Sequence, residues 1–449
     1  MKKILIANRG EIARRIIRTC SRLGIETVAI HSEADGDLPY VSEATEAVLI
    51  GPNPVVQSYL QADKIIEAAK AHNAEAIHPG YGLLSENADF ARKVAEAGLI
   101  FIGPSADIIE KMGDKLESRQ TMAKAGVPVV PGTVDGVASI EDAIEEAGKI
   151  GYPLMLKASA GGGGIGMVRC DSEQALSQQF ASVKNRAKAY FGDDVVYLEK
   201  FIADSRHIEV QIFGDEHGNI VHLFERNCSV QRRNQKVIEE SPSPDLPEDV
   251  RQRLCDAAVK AAQAVSYTNA GTVEFIVDKN NEFYFLEMNT RLQVEHPVTE
   301  EVTGFDLVEW QLDVATGGTL PSQGSIRSTG HSIEYRIYAE DPKTFFPSPG
   351  LLQTVEWGEG ARIETGYEQG NTVTPFYDPM ISKVIITGID RADALNKSQN
   401  FFNHATIVGV KTNLPLYREF IGSEQFSSGT YATSVLPEWM EKTKEEQKL

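Results

Sequence analysis

Carboxylates, amides and a guanidinium group crowd the stretch TVEFIVDKNNEFYFLEMNTRLQVEHP at residues 272–297. Its first part reads as a hairpin turning at Lys279-Asn280, with Asp278 facing Asn281 and position 274 facing 285. Glu274 then shares a face with Glu287 as a diagonal neighbour, roughly 7 to 8 Å away at the backbone, and Asn289 lies two residues further along that face. Two anionic oxygens and an amide oxygen suit Mg²⁺ or Mn²⁺, completed by water and nucleotide phosphates. Solvated carboxylates on an exposed strand are the competing reading. Phe283, Tyr284, Phe285 and Leu286 argue for a mostly buried strand, where an unpaired carboxylate is costly.

If the chain stays extended up to Pro297, alternation puts Arg291, Gln293 and Glu295 on one side and Leu292 and Val294 on the other. Arg291 offers parallel donors to a planar oxyanion such as bicarbonate, and Glu295 beside it can take a proton from the bound acid. A structural Arg291–Glu295 ion pair is the bland alternative. Two further segments bear on anions. SAGGGGIGM, residues 159–167, leaves backbone amides free to approach phosphate oxygens, and Lys157 on the preceding strand can reach beneath the loop. A flexible surface hairpin would look the same. SVQRRNQKVIEE carries Arg232, Arg233 and Lys236, either an anion-lined cleft or an exposed loop paired with Glu239 and Glu240. His78 and His207 are ambiguous. Ser-hydrolase and zinc-protease motifs do not occur.

The elements that must position these groups alternate. KKILIANRGEIARRIIRTCSRLGIETVAIHS reads as a strand, a turn, a helix ending near Gly24 and a second strand. Helices around Asp63–Ala71 and Asn87–Ala97 and strands at Ala74–His78 and Leu99–Gly103 continue the pattern. This predicts a parallel, doubly wound, Rossmann-like sheet. Its first turn lacks GxGxxG, so no dinucleotide site is expected there. A helical stretch spans Ser105 to Gly126. Hairpins then dominate, giving an α+β region, with a helix near Asp306–Ala315 and a strand-rich C-terminal part opened by HSIEYRIYAEDP. The last residues, EKTKEEQKL, read as a solvated tail.

Composition narrows the function classes. The 449 residues exceed one hydrophobic core, so two or three domains are expected. Forty-four Lys plus Arg against 64 Asp plus Glu give a net charge of −20, which disfavours nucleic-acid and anionic-membrane partners. Cys20, Cys170, Cys228 and Cys255 are too scattered for a redox pair or zinc knuckle, and no apolar run suits a signal peptide or a bilayer span. A cytoplasmic protein is expected.

IANRGEIA, HPGYGLLSEN, GDK at 113–115, KASAGGGGIGM, ERNCSVQRRNQK, EFYFLEMNTRLQVEHPVTE and FFPSPG together resemble biotin carboxylase, the ATP-grasp subunit of biotin-dependent carboxylases such as acetyl-CoA carboxylase. The resemblance implies a Rossmann-like domain over 1–113, an ATP-grasp domain over 114–330 with a mobile lid at about 129–202, a C-terminal domain over 331–441 and a tail at 442–449. It implies that Lys115, Lys157, Gly163, Gly164, Gly166, Glu199, Lys200, His207, Gln231 and Asn234 contact ATP. Glu274, Glu287 and Asn289 would hold the metal, and Lys236, Arg291, Gln293 and the Val294 backbone would hold bicarbonate. Glu295 would be the general base, and Arg336 and Tyr81 would meet biotin.

The family commonly has His where this chain has Asn234, and many relatives carry Lys or Arg where Ile165 stands. No AMKM-type biotinylation signature occurs, so a separate biotin carboxyl carrier protein and carboxyltransferase subunits are expected partners, with homodimerisation. Two other readings compete: an ATP-grasp ligase activating a different carboxylic acid, and a nucleotide-sensing subunit without turnover.

Overall fold

The computed structural model describes residues 1–159 and 166–446. Strand β1 (Lys3–Ile6) is apolar and buried, and the chain turns at Gly10 (φ 63°) into helix α1 (Gly10–Leu23). That helix ends where Gly24 takes a left-handed conformation that costs a Cβ-less residue little. Strands β2 (Glu26–Ser32), β3 (Glu46–Gly51), β4 (Ala76–His78) and β5 (Ile100–Phe101) complete a parallel sheet ordered β3-β2-β1-β4-β5. This is the Rossmann-like half that the alternation predicts.

The helical stretch after Ser105 is two helices, Ala106–Gly113 and Lys115–Lys124. Asp114 separates them: its backbone is extended, and its carboxylate accepts the Glu117 amide at 2.9 Å. The break sets Lys115 at the start of the second helix. Beyond it, β6 (Leu154–Ala158), β7 (Met167–Cys170) and β8 (Val196–Lys200) form a small antiparallel sheet ordered β7-β6-β8. Helices Ile140–Ile150 and Glu173–Phe191 cover it, giving this unit its own core, which includes Leu154, Leu156, Leu176 and Leu198.

One eight-stranded antiparallel sheet then carries the chemistry. It comprises β9 (Arg206–Gly214), β10 (Ile220–Arg232), β11 (Gln235–Ser241), β12 (Asn269–Val277), β13 (Phe283–Asn289), β14 (His331–Tyr338) and the strands Arg362–Thr365 and Met380–Gly388. Its order is β13-β12-β9-β10-β11-β14, then Met380–Gly388, then Arg362–Thr365. The β11/β14 pairing therefore joins the hairpin region to the C-terminal region through continuous backbone hydrogen bonds. The last described residues are helical: Glu441 to Glu446 continue the Val435–Glu446 helix, mostly exposed over Glu441–Glu445 as a solvated end should be, with Leu436 buried at its start; residues 447–449 lie outside the described residues.

Glu240 on β11 ties this region together. Fully buried, its carboxylate meets His331 Nε2 at 2.5 Å, Arg391 Nε at 2.8 Å and the Tyr431 hydroxyl. Burial alone would raise its pKa, but the His331 hydrogen bond and the Arg391 charge outweigh it and pull it from 4.5 down to about 2. A depressed pKa stabilises the folded state at pH values above the unfolded one, and that stability fades as the pH falls from about 4.5 towards 2. The contribution is about 3 kcal/mol near neutrality. Glu240→Gln should lower the melting temperature at pH 7 and flatten its decline below pH 4.5 in thermal scans.

Candidate active site

Glu274 and Glu287 are directly opposite one another across β12 and β13, rather than diagonal. Two local features shift the register. The turn holds three residues, Lys279 to Asn281, with Asn281 left-handed at φ 64° and Asp278 N–H donating to the Glu282 carbonyl at 2.8 Å. A bulge between Glu274 and Phe275 adds one more step. Both carboxylates thus face the same cleft, of about 690 Å³.

The stretch after β13 also differs from expectation. Residues 291–295 bend instead of running as a strand, and Glu295 caps the His296–Thr303 helix with φ −81° and ψ 11°. The side chains still converge, because Leu292 anchors the bend in the core at 0 % exposure. Arg291 donates to Gln293 Oε1 at 2.7 Å, to Asn289 Oδ1 at 2.8 Å and to Glu86 Oε2 at 2.8 Å. Gln293 donates to Asn289 Oδ1 at 2.9 Å and to Glu274 Oε1 at 3.1 Å. No Arg291–Glu295 ion pair forms among the described contacts.

Lys236 is the centre of charge. Extending from the start of β11, its ammonium lies 2.6 Å from Glu209, 2.9 Å from Glu274 and 2.7 Å from Glu295. Burial lowers the Lys236 pKa, but three carboxylates overcome it and hold the amine well above its ordinary value. Glu295 shows the converse: burial would raise it, yet Lys236, Arg336 and Arg226 hold the carboxyl well below the usual range. Its second oxygen accepts from Arg336 at 3.0 Å, and Arg336 is in turn held by Glu239 at 2.6 Å. Glu239 pays the electrostatic cost of this crowding, its pKa raised to about 7 by burial against the pull of Arg336. Glu295 is therefore an ionised carboxylate with a cation on each oxygen.

The described side chains expected to contact ATP, from Lys115 to Asn234, line the same cleft. Lys115 sits 3.2 Å from Glu287, and Lys157 contacts Glu199. His207 links Glu274 at 2.7 Å to Gln231 at 2.9 Å. Asn234 occupies a left-handed turn position at φ 63°, which an Asn tolerates well. Lys200 lines the cleft, but its ammonium donates to the Gly151 and Tyr152 carbonyls at 3.1 and 3.3 Å. Gly166 closes the glycine segment at φ 80°, whereas Gly163, Gly164 and Ile165 lie outside the described residues. Tyr81 and Arg336 line the cleft as well; the Tyr81 hydroxyl contacts Glu11, and Asn8 holds its carbonyl at 2.8 Å. Arg232 and Arg233 do not join the cleft lining. They reach Glu340 and the Thr344 carbonyl, and Glu239 and Glu240 pair elsewhere than the basic loop.

Sequence reasoning does not single out Glu86, Glu209 or Lys383, and it offers Glu239 only as a partner of the basic loop. Glu209 alternates with His207 and Gln211 along β9, a signal present in HIEVQIF. It faces fully buried Arg226, which donates to Glu209 at 2.6 Å and Gln211 at 2.8 Å.

A cleft lined by paired carboxylates that offer oxygen donors to a cation, with Lys115, Lys157 and Lys236 set among them, defines an ATP-grasp enzyme. Residues 1–109, 114–323 and 334–438 match, respectively, the biotin carboxylase N-terminal domain, the ATP binding domain of the carbamoyl-phosphate synthase L chain and the biotin carboxylase C-terminal domain. Biotin carboxylase 2 of Bacillus subtilis is 57% identical over 437 residues, spanning 97% of this chain and 98% of that one. A solved biotin carboxylase–β,γ-ATP complex from Campylobacter jejuni superposes with a TM-score of 0.95 at 46% identity, covering 97% of this chain and 98% of the other. The biotin carboxylase domain dimer of Hydrogenobacter thermophilus 2-oxoglutarate carboxylase, in complex with MgADP, ADP and bicarbonate, gives 0.94 at 46% identity, with 97% of each chain covered. The chain belongs to the biotin carboxylase family.

Proposed function

We infer that the chain carboxylates biotin at the expense of ATP and bicarbonate, through carboxyphosphate, giving carboxybiotin, ADP and phosphate. The observation that carries this reading is Glu295, ionised and held between Lys236 and Arg336, beside the Arg291–Gln293 pair in the cleft of Glu274 and Glu287. Arg291, Gln293, Lys236 and the Val294 backbone seat bicarbonate, and Glu295 takes its proton so that the dianion attacks the γ-phosphate. Lys115 and Lys157 offset the charge gathering on the phosphate oxygens, with Glu199, Lys200, His207, Gln231 and Asn234 completing the nucleotide wall. Carboxyphosphate releases CO₂ and phosphate. The phosphate accepts the biotin N1′ proton, Arg336 stabilises the charge on the ureido oxygen, and N1′ attacks the CO₂ carbon to give carboxybiotin while Tyr81 walls the ring.

Glu274, Glu287 and Asn289 offer hard oxygen donors on adjacent strand positions, a set that fits Mg²⁺ or Mn²⁺. When bound there, the ion supplies charge neutralisation at the nucleotide phosphates.

The cleft accounts for carboxylation of biotin and contains nothing aimed at a final acceptor, so a biotinyl carrier and carboxyltransferase subunits are proposed as partners. A homodimer is proposed on the groove of about 860 Å³ where Arg14, Arg18 and Arg22 of α1 face Trp357 and Ile363. Among the described residues, no helix is long and apolar enough to cross a membrane. All four cysteines are free and buried, which suits the reducing cytoplasm proposed as its location.

ADP release should rise at least about tenfold on adding bicarbonate and further on adding free biotin, an increment within reach of positioning plus base catalysis. ADP release that ignores bicarbonate, or that answers only to a different carboxylic acid, would overturn the reading.

A further inference from the structure

Lys383 lies within the Met380–Gly388 strand at 0 % exposure, a setting in which an ammonium persists only when well paired. Its Nζ donates to the Val294 carbonyl at 2.8 Å and lies 3.1 Å from Glu11 Oε1. The Tyr81 ring centroid is 5.8 Å away. These partners come from α1, from the turn beyond β4 and from the bend that leads into the His296–Thr303 helix.

The peptide joining Val294 to Glu295 is planar, so a bond that fixes the Val294 carbonyl also fixes the plane from which the Glu295 Cα projects. On the neighbouring strand, Arg336 pairs in register with Lys383 and donates to Glu295 Oε2 at 3.0 Å. One β-ladder rung therefore holds Glu295 twice, through the backbone by Lys383 and through the carboxylate by Arg336. The geometry points to Lys383 as a positioning residue for Glu295: it touches no reactant and acts through the Val294–Glu295 peptide. This inference rests on the function proposed above and adds a residue from the C-terminal region to the bicarbonate side of the cleft.

Lys383→Met keeps the length and removes the donor. A misplacement of about 1 Å costs on the order of 100-fold, so bicarbonate-dependent kcat should fall about 30- to 100-fold with the KM for ATP within about threefold of wild type. Because the substitution strands Glu11 in the interior, the double variant Lys383→Met/Glu11→Gln serves as a second test. It should regain melting temperature without regaining turnover, and calorimetry with a non-hydrolysable ATP analogue should report unaltered nucleotide binding in both. Turnover within threefold of wild type in either variant overturns the positioning role, as does recovery of both melting temperature and turnover in the double variant. A wild-type enzyme without bicarbonate dependence would instead sink the proposed function, so the two failures are distinguishable.

Discussion

Glu295→Gln should lower bicarbonate-dependent ADP formation by about 10³-fold, within the range lost when a positioned general base is removed, and should leave ATP affinity within about threefold. The amide keeps the volume and can still accept from Lys236 on the oxygen now at 2.7 Å. It cannot take a proton, and its NH₂ would face the Arg336 guanidinium, donor against donor. The proposed ATP contacts Lys115, Lys157 and His207 pair with Glu287, Glu199 and Glu274 rather than with Glu295, so nucleotide binding should not register the change. Initial rates across bicarbonate concentrations, with nucleotide affinity measured separately, check this. Unchanged turnover would remove Glu295 from the role of base.

Lys236→Met should be equally damaging, for a different reason. The lysine neutralises Glu209, Glu274 and Glu295 together, at 2.6, 2.9 and 2.7 Å. Without it the buried carboxylates repel, and breaking a buried ion pair in this way costs about 3 to 5 kcal/mol of stability. Burial is the largest influence on Glu295 and raises its pKa; Lys236 is the first of the groups that lower it. Removing the lysine therefore raises that pKa, and the ionised base is lost at a higher pH as the solution is acidified. The acid limb of the kcat/KM profile for bicarbonate should move upward, alongside a drop in rate of at least about 10²-fold. A profile with an unmoved acid limb would show that Lys236 does not set the ionisation of Glu295.

The parts of this site that come from one continuous stretch are legible in the sequence. Glu274 and Glu287 can be placed on one face because a hairpin constrains both strands, although the three-residue turn and the bulge convert a diagonal pair into a direct one. Arg291, Gln293 and Glu295 converge as expected from their spacing, yet through a bend anchored by Leu292 rather than through strand alternation. What periodicity cannot supply is the partner of each charge. Glu209, Glu239 and Lys383 sit on β9, β11 and the Met380–Gly388 strand, and only sheet order brings them to residues 236, 294, 295 and 336. Glu86, whose carboxylate orients Arg291, comes from the N-terminal region 205 positions away. The Rossmann-like sheet reads easily for the opposite reason, since apart from the crossover from β3 to β4 its consecutive strands are also neighbours in space.

The path of one oxygen atom tests the account most directly. With ¹⁸O-labelled bicarbonate, ATP and biotin, attack of bicarbonate on the γ-phosphate places a bicarbonate oxygen in the phosphate product, so phosphate released during turnover should carry label. Unlabelled phosphate, formed while ADP accumulates and bicarbonate remains enriched, would mean that water cleaves the nucleotide and that the cleft does not unite the two reactants.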